Sequence, residues 1–138
     1  MAHAEAEAVN REIDVRAWLE YAEADRRSAY NAMRADDYRD VAFHCQQAVE
    51  KLLKAAIVRQ TRQRPPYEHN FWKLWQHISD ITCPPDIQEA LASINPHYFL
   101  SRYPGIGIQY DLEVAHEMIE RMEQVWQWLT ESMNLPTK

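Results

Sequence analysis

A long apolar pattern between residues 38 and 59 constrains the fold of this chain more than any other feature. Apolar residues recur there at spacings of three and four, which is the periodicity of one helix face, and no Gly or Pro interrupts them. The pattern predicts a central helix around which the other segments pack. Its apolar positions are Val41, Ala42, Cys45, Ala48, Val49, Leu52, Leu53, Ala56 and Ile57.

A neighbouring face of the predicted helix is polar and partly cationic. His44, Gln47, Lys51 and Lys54 follow one another at spacings of three, four and three, so their side chains align along the helix. Two ammonium groups in such a row can hold phosphates as point charges, and we predict these four residues as ligand-binding. The alternative is an ordinary surface or a contact between subunits. Glu50 lies between this row and the apolar face, where a carboxylate requires a cationic partner.

Four further segments show the same apolar periodicity. Asp14 and Asp111 stand where the N-caps of the first and last helix are expected. The connections are short, which favours antiparallel neighbours, and no strand pattern competes. The sequence therefore predicts an all-α fold, a single up-and-down bundle of four to five helices over residues 1–138, with 1–12 as a frayed lead-in. The four additional helices are expected at residues 14–33, 69–78, 86–94 and 111–133.

The charge of the chain is acidic but unevenly distributed. A net charge of −6 argues against a protein that coats duplex nucleic acid, because that function needs a broad basic surface. Between residues 51 and 73, however, six Lys and Arg side chains accompany a single acidic residue, Glu68. A local anion site is one interpretation of this segment, and a solvated basic loop is the other.

The sequence predicts no metal site, no cofactor and no membrane-spanning segment. Cys45 and Cys83 lack CxxC spacing, and His69 and His97 lack acidic or Cys companions at metal-ligand spacing. The Gly-Ile-Gly at 105–107 lacks the third Gly of a dinucleotide-binding loop. No apolar run approaches the roughly 20 residues that cross a bilayer, and the first residues do not resemble a signal peptide. We therefore expect a cytoplasmic protein.

The segment 95–110 has the least regular composition of the chain. It contains both Gly residues, two Pro and four aromatic residues around Arg102, which predicts an ordered, irregular loop of the kind that often carries binding groups. Tyr103 and its aromatic neighbours could stack on bases, whereas packing in the core or in a dimer is the alternative. Arg102 is predicted either to bind a ligand together with Tyr103 or to form a buried structural ion pair with Glu50.

Three motifs together resemble the HEPN domain family of prokaryotes. They are FHCQQAVEKLLKA at 43–55, His69 with Leu74 in the following helix, and SRYP at 101–104 before the last helix. The resemblance extends from about residue 18 to residue 128. It implies a bundle of four or five helices that forms a homodimer.

The resemblance implies two functional branches. Many HEPN proteins are metal-independent ribonucleases or toxins that carry an Arg and a His, four to six residues apart, at the start of the last long helix. Others are small proteins encoded beside a minimal nucleotidyltransferase, and they bind nucleotide or support that partner. In this sequence Arg102 takes the place of the ribonuclease Arg, but no His follows at the required spacing, and the next one is His116. General acid/base cleavage needs a titratable group near the phosphate, so no catalytic residue is predicted there.

The sequence therefore favours a non-catalytic protein that binds nucleotide, single-stranded RNA or a partner protein, as part of a nucleotidyltransferase–HEPN pair of toxin–antitoxin type. Two alternatives remain open. One is a metal-independent ribonuclease toxin that uses a displaced pair, either Arg39 with His44, or Arg62 or Arg64 with His69. The other is a structural dimeric adaptor in which the polar row of the central helix makes subunit contacts.

Overall fold

The computed structural model describes residues 11–104 and 108–136, so residues 1–10 of the predicted lead-in and the Gly-Ile-Gly at 105–107 lie outside the described residues. No strand occurs in the described part of the chain, and the predicted all-α fold is confirmed. All five predicted helices are present, and one additional turn of helix interrupts the segment predicted as irregular. The helices are α1 (Val15–Arg34), α2 (Tyr38–Thr61), α3 (Phe71–Trp75), α4 (Pro85–Ile94), α5 (His97–Leu100) and α6 (Leu112–Ser132).

Helix α2 is the centre of the bundle and contacts each of the other five helices of the described chain. Every residue of its predicted apolar face is buried. Burying one Leu side chain contributes roughly 1.5 to 3 kcal/mol, so this face supplies a large part of the folding free energy. Ala55 and Val58, outside that face, are also buried, because α1 and α6 cover α2 from further directions.

The connection between α1 and α2 is a tight reversal. The amide of Asp37 donates to the carbonyl of Ala32, and the amide of Asp36 donates to the carbonyl of Met33. Asp36 adopts a left-handed conformation with φ of 57°. This is the Schellman pattern, which satisfies the last carbonyls of a helix and turns the chain. It explains why three residues between the helices are enough to bring α2 back along α1.

Side-chain caps determine where three helices begin. Asp14 accepts a hydrogen bond from the amide of Arg16, and Asp111 accepts one from the amide of Val114, as predicted for α1 and α6. Asn70 caps α3 through the amides of Trp72 and Lys73, so α3 starts after the residue predicted from periodicity. It is also shorter than predicted, because the chain leaves the helix through three-residue turns after Trp75.

Helix α6 is attached to α1 by a paired ionic contact as well as by apolar packing. Arg26 on α1 donates from Nε and Nη2 to the two carboxylate oxygens of Glu123 on α6, each at 2.6 Å. The two parallel hydrogen bonds fix the register of the two helices. No helix within the described residues is long and apolar enough to span a bilayer.

Candidate functional site

A buried carboxylate on α2 is the centre of the most elaborate polar cluster in the fold. Glu50 is only 3% exposed. Its Oε1 accepts a hydrogen bond from Nδ1 of His69 at 2.8 Å, and its Oε2 contacts Nζ of Lys54 at 3.2 Å. We call Glu50, Lys54 and His69 the Glu50 cluster. Because a buried charge is stable only when it is paired and hydrogen-bonded, these contacts explain how the bundle tolerates a carboxylate next to its core.

Two glutamines of α2 complete the surroundings of Glu50. Gln46 is fully buried, and its amide nitrogen lies 3.4 Å from Glu50 Oε1 and 3.3 Å from the main-chain carbonyl of His69. Gln47 donates to the side-chain oxygen of Gln46 at 2.7 Å. His69 is therefore held to α2 through both its ring and its main chain.

The residues after His69 are fixed from a second direction. The amide of Phe71 donates to the side-chain oxygen of Asn95 at 2.9 Å, and Asn95 ends α4 two residues before α5 begins. Helix α5 is anchored in turn by His97, which is buried and whose Nδ1 lies 2.8 Å from the hydroxyl of Tyr110. Burial lowers the pKa of His97, which favours its neutral form. These contacts set the distance between His69 and the side chains of α5.

An aromatic side chain of α5 links His69 to Arg102. The ring of Tyr98 is stacked on the ring of His69, with 3.9 Å between the centroids and 15° between the planes. The guanidinium carbon of Arg102 lies 5.0 Å from the centroid of the same Tyr98 ring, a cation–π arrangement. His69 and Arg102, which are far apart in sequence, thus contact one tyrosine.

These side chains line an open cavity of about 430 Å³, which we call the tyrosine groove. Among the described lining residues only Asp40 is acidic, and Arg102 forms no ion pair with any residue that the structure describes. Because the carboxylate of Glu50 is an acceptor, Nδ1 of His69 is the donating nitrogen, and Nε2 has no protein partner in the described residues. The lining residues are Asp40, Phe43, Gln47, His69, Tyr98, Ser101 and Arg102.

A second carboxylate cluster lies between α1 and α2. Asp25 of α1 accepts from Nδ1 of His44 at 2.9 Å and from Nζ of Lys51 at 2.5 Å, and we call these three residues the Asp25 cluster. Burial raises the pKa of the Asp25 carboxyl, but the hydrogen bonds from His44 and Lys51 outweigh it, so the pKa lies below its usual value of 3.8. Nδ1 of His44 and Nζ of Lys51 are therefore both occupied by Asp25.

The four residues of the predicted ligand-binding row of α2 do not share one environment. Gln47 lines the tyrosine groove, whereas Lys51 and His44 pair with Asp25, and Lys54 is 6% exposed and pairs with Glu50. These ion pairs already occupy both lysine ammonium groups, so a ligand could bind them only by competing with Asp25 and Glu50, and the predicted ligand-binding role of the row stays a prediction. The helical periodicity could not reveal these surroundings, because α1 supplies the cover: Nζ of Lys54 lies 5.6 Å from the ring centroid of Trp18.

The structure does not contain the predicted ion pair between Glu50 and Arg102, so this prediction is corrected. Glu50 pairs with Lys54 and His69, and Arg102 lies over Tyr98 instead. The physical reason is position, because Lys54 lies one helical turn after Glu50 and reaches it within α2. Tyr103, predicted as a ligand contact, is about half exposed and packs against the exposed ring of Phe99, with 4.4 Å between the centroids.

None of the displaced Arg and His pairs proposed from sequence lines the tyrosine groove with both of its residues. His44 is held by Asp25, and Arg39 does not line the tyrosine groove. Arg64 pairs with Glu12, and Arg62 lines a separate cavity at the other end of α2. The combination that sequence spacing missed is His69 with Arg102. Only the composition around Arg102, rich in aromatic residues, pointed toward it.

Metal and thiol chemistry receive no support from the described residues. No group of three or more His, Cys, Asp or Glu side chains within 11–104 and 108–136 is placed to hold a metal ion. Cys45 and Cys83 are buried free thiols, and burial raises the pKa of each. A buried thiol with a raised pKa is a poor nucleophile.

The tyrosine groove lies in the part of the chain that matches a known protein family. The family model described as HEPN domain matches residues 15–133. The chain belongs to the HEPN domain family. This confirms the resemblance seen in the three motifs, and no curated protein matches the chain.

Two solved structures are similar to this HEPN domain over most of their length. One is TT1696 from Thermus thermophilus, with 26% sequence identity and a TM-score of 0.77, covering 85% of this chain and 96% of that one. The other is ST0689, described as an archaeal HEPN homologue, with 24% identity and a TM-score of 0.70, covering 86% and 97%. The second likeness shows the fold alone. Since one fold hosts several activities, the function has to be argued from the site.

Proposed function

We propose that this HEPN domain binds a nucleotide or single-stranded RNA in the tyrosine groove without cleaving it. The observation that carries the proposal is the arrangement of Arg102 and His69 on the ring of Tyr98 in an open cavity. A guanidinium group is suited to a phosphate, because its parallel N–H groups bind two phosphate oxygens at once. The volume of the groove, about 430 Å³, lies within the usual range for small-ligand sites.

Aromatic side chains next to Arg102 supply the second element of the proposal. Phe99 and Tyr103 are each about half exposed and pack against each other beside the groove. Base stacking on an aromatic side chain contributes roughly 1 to 3 kcal/mol per base and tolerates any sequence. Arg102 would hold the phosphate, and these rings would receive a base.

The physiological setting that we propose is a pair with a minimal nucleotidyltransferase, in which a homodimer of this chain presents the groove. The support for this setting is membership of the HEPN family together with the sequence after Arg102. The His of the ribonuclease branch is not present there, and proteins encoded beside a nucleotidyltransferase often lack that catalytic pair.

The binding proposal is tested with labelled single-stranded RNA and three single variants, measured by fluorescence anisotropy. We expect Arg102→Gln to raise the Kd about tenfold, which corresponds to the loss of one charged contact of about 1.4 kcal/mol. Tyr98→Leu should have a similar effect, because it removes the ring on which Arg102 lies. The matched control is Arg27→Gln, which removes an exposed arginine of α1 that lines neither the tyrosine groove nor the separate cavity at Arg62. An equal loss of affinity in Arg27→Gln would mean diffuse electrostatic binding and would refute the site.

Cleavage of the bound RNA is the second candidate function, because the groove holds a histidine as well as an arginine. Glu50 fixes the ring of His69 and leaves Nε2 as the nitrogen that could exchange a proton with a substrate hydroxyl. Arg102 could stabilise the charge that develops on the phosphate.

The same binding reactions, run in chelator and analysed on a denaturing gel, separate the two functions. Intact RNA in the presence of saturating protein supports binding alone. Cleavage that disappears in His69→Gln and persists in His44→Gln would assign turnover to the tyrosine groove, since His44 is held in the Asp25 cluster.

A further inference from the structure

We propose that a second groove, at the opposite end of α2, binds the dianionic phosphate of a small phosphomonoester. This cavity of about 360 Å³ is lined by three arginines, Arg16, Arg59 and Arg62, and we call it the arginine groove. It shares no residue with the tyrosine groove. The inference therefore goes beyond the proposed function and does not depend on it.

Charge selects the chemical class of the ligand. Among the residues that the structure describes, none of the three arginines forms an ion pair, although Arg64 close by in sequence pairs with Glu12. Among the described residues of the wall, the single acidic one is Asp14, one oxygen of which already accepts the amide of Arg16. Three positive charges and one negative charge leave an excess of about two. A phosphomonoester carries about −1.5 to −2 at pH 7, whereas a phosphodiester carries only one negative charge.

The position of Arg16 is not explained by helix stability. It lies in the first turn of α1, which contains no acidic residue, and a cation near a helix N-terminus is disfavoured by the helix dipole. Arg59 lies in the last turn of α2, where a cation is favoured. Helix stabilisation therefore accounts for Arg59 but not for Arg16. Placement of both in one cavity is what an anion site requires.

The backbone at Arg62 supports the same interpretation. Arg62 ends α2 in a left-handed conformation with φ of 59°, at the position where glycine is most common. For a residue with a side chain this conformation is unfavourable, because the Cβ atom lies too close to the following carbonyl oxygen. An arginine there adds a guanidinium to the groove at the expense of stability.

The two grooves lie at opposite ends of α2. Gln47 lines the tyrosine groove and Arg59 lines the arginine groove, and twelve residues of helix separate them by about 18 Å along the axis. A ligand as small as a sugar phosphate cannot contact both. Binding at the two sites can therefore be measured independently.

The test uses isothermal titration of the full chain with ribose 5-phosphate, inorganic phosphate and dimethyl phosphate. None of these carries a base that could stack in the tyrosine groove. We expect ribose 5-phosphate and inorganic phosphate to bind and the diester to bind about tenfold more weakly, because it has half the charge. The double variant Arg59→Gln/Arg62→Gln should weaken the binding of both ribose 5-phosphate and inorganic phosphate at least about tenfold.

Two controls make the result decisive. Arg27→Gln removes the same charge elsewhere on the surface, and Arg102→Gln disables the tyrosine groove, so each should leave the affinity for ribose 5-phosphate within about twofold. Absence of binding in the unaltered chain, or equal binding of the diester, would overturn the proposal. So would unchanged affinity in Arg59→Gln/Arg62→Gln. Loss of binding in Arg102→Gln would move phosphate recognition to the tyrosine groove, which refutes the second site and leaves the proposed function intact.

RNA tests whether the phosphate that binds in the arginine groove can belong to a longer molecule. If the arginine groove takes a terminal phosphate, RNA with a 5′-phosphate should bind more tightly than the same RNA with a 5′-hydroxyl, and the difference should vanish in Arg59→Gln/Arg62→Gln. If both RNAs bind equally while ribose 5-phosphate binding is retained, the site is one for small phosphomonoesters, which is the proposal as stated.

Discussion

The Glu50 cluster and the Asp25 cluster consist of the same three kinds of side chain in two different environments. Each has one carboxylate, one histidine bound through Nδ1 and one lysine, and in each the lysine belongs to α2. The carboxylate side chain of Glu50 is 4% exposed and that of Asp25 is 12% exposed. The larger difference lies in the lysines, because the side chain of Lys54 is 7% exposed and that of Lys51 is 25% exposed.

This difference decides what each cluster contributes. Water can replace either partner of Asp25, so the pairing resembles a surface ion pair, which is worth at most about 1 kcal/mol. Water cannot easily replace a partner of Glu50, so the loss of one partner leaves a buried charge without compensation. The Asp25 cluster thus joins α1 to α2, whereas the Glu50 cluster determines whether the wall of the tyrosine groove keeps its shape.

The largest expected effect comes from removing the charge of Glu50. In Glu50→Gln the ammonium of Lys54 remains buried without a carboxylate, and we expect the free energy of unfolding to fall by about 3 to 5 kcal/mol. Urea unfolding followed by circular dichroism measures the change.

The double variant Glu50→Gln/Lys54→Met is the control for this prediction. It removes both charges, so it should recover most of the stability that Glu50→Gln loses. If Glu50→Gln costs less than about 1 kcal/mol, the Glu50 cluster behaves like an exposed pair and the contrast between the clusters fails.

A smaller effect, dependent on pH, is expected for Asp25→Asn. The pKa of Asp25 in the folded chain lies below its usual value of 3.8, so its contribution to stability is present above pH 3.8 and is lost as the pH falls through the folded-state pKa. At pH 7 the variant should be less stable by about 1 kcal/mol. Unfolding curves at descending pH should show the two proteins converging below pH 3.8. A difference that stays constant down to the acid transition would contradict the assignment.

The smallest effect is expected for His44→Gln. Its hydrogen bond to Asp25 is partly exposed, and Lys51 remains as a partner, so the loss should be about 0.5 kcal/mol. The affinity for single-stranded RNA should be unchanged, because His44 does not line the tyrosine groove. A clear loss of RNA binding in this variant would contradict this expectation and support the ligand-binding role that the sequence pattern predicted for His44.

The fold was largely predictable from sequence because its signals are local. The apolar face of α2 depends on spacing alone, and the caps Asp14 and Asp111 depend on one residue type before an apolar pattern. The length of α3 was not predictable, because the apolar spacing continues through residues that form turns after Trp75.

The candidate site was only partly predictable, because its geometry is produced by contacts between distant segments. The sequence singled out Gln47, His69 and Arg102 as candidates, but spacing could not show that His69 and Arg102 meet on Tyr98. Nor could it show that Lys54 is covered by Trp18 of α1. A helical pattern states which residues share a face, whereas the partner of that face is a property of the whole bundle.

The anchoring of His69 makes the preceding connection a suitable place to engineer the protein. Gln46, Glu50 and the Phe71–Asn95 hydrogen bond hold the segment after Glu68, so its position does not rely on the length of the connection from α2. Tyr67 is 95% exposed, yet its ring lies 5.7 Å from that of His69. A cysteine introduced at Tyr67 could carry an environment-sensitive fluorophore at the rim of the tyrosine groove, while the two native thiols remain buried. The fold thus provides a site for an optical reporter of groove occupancy.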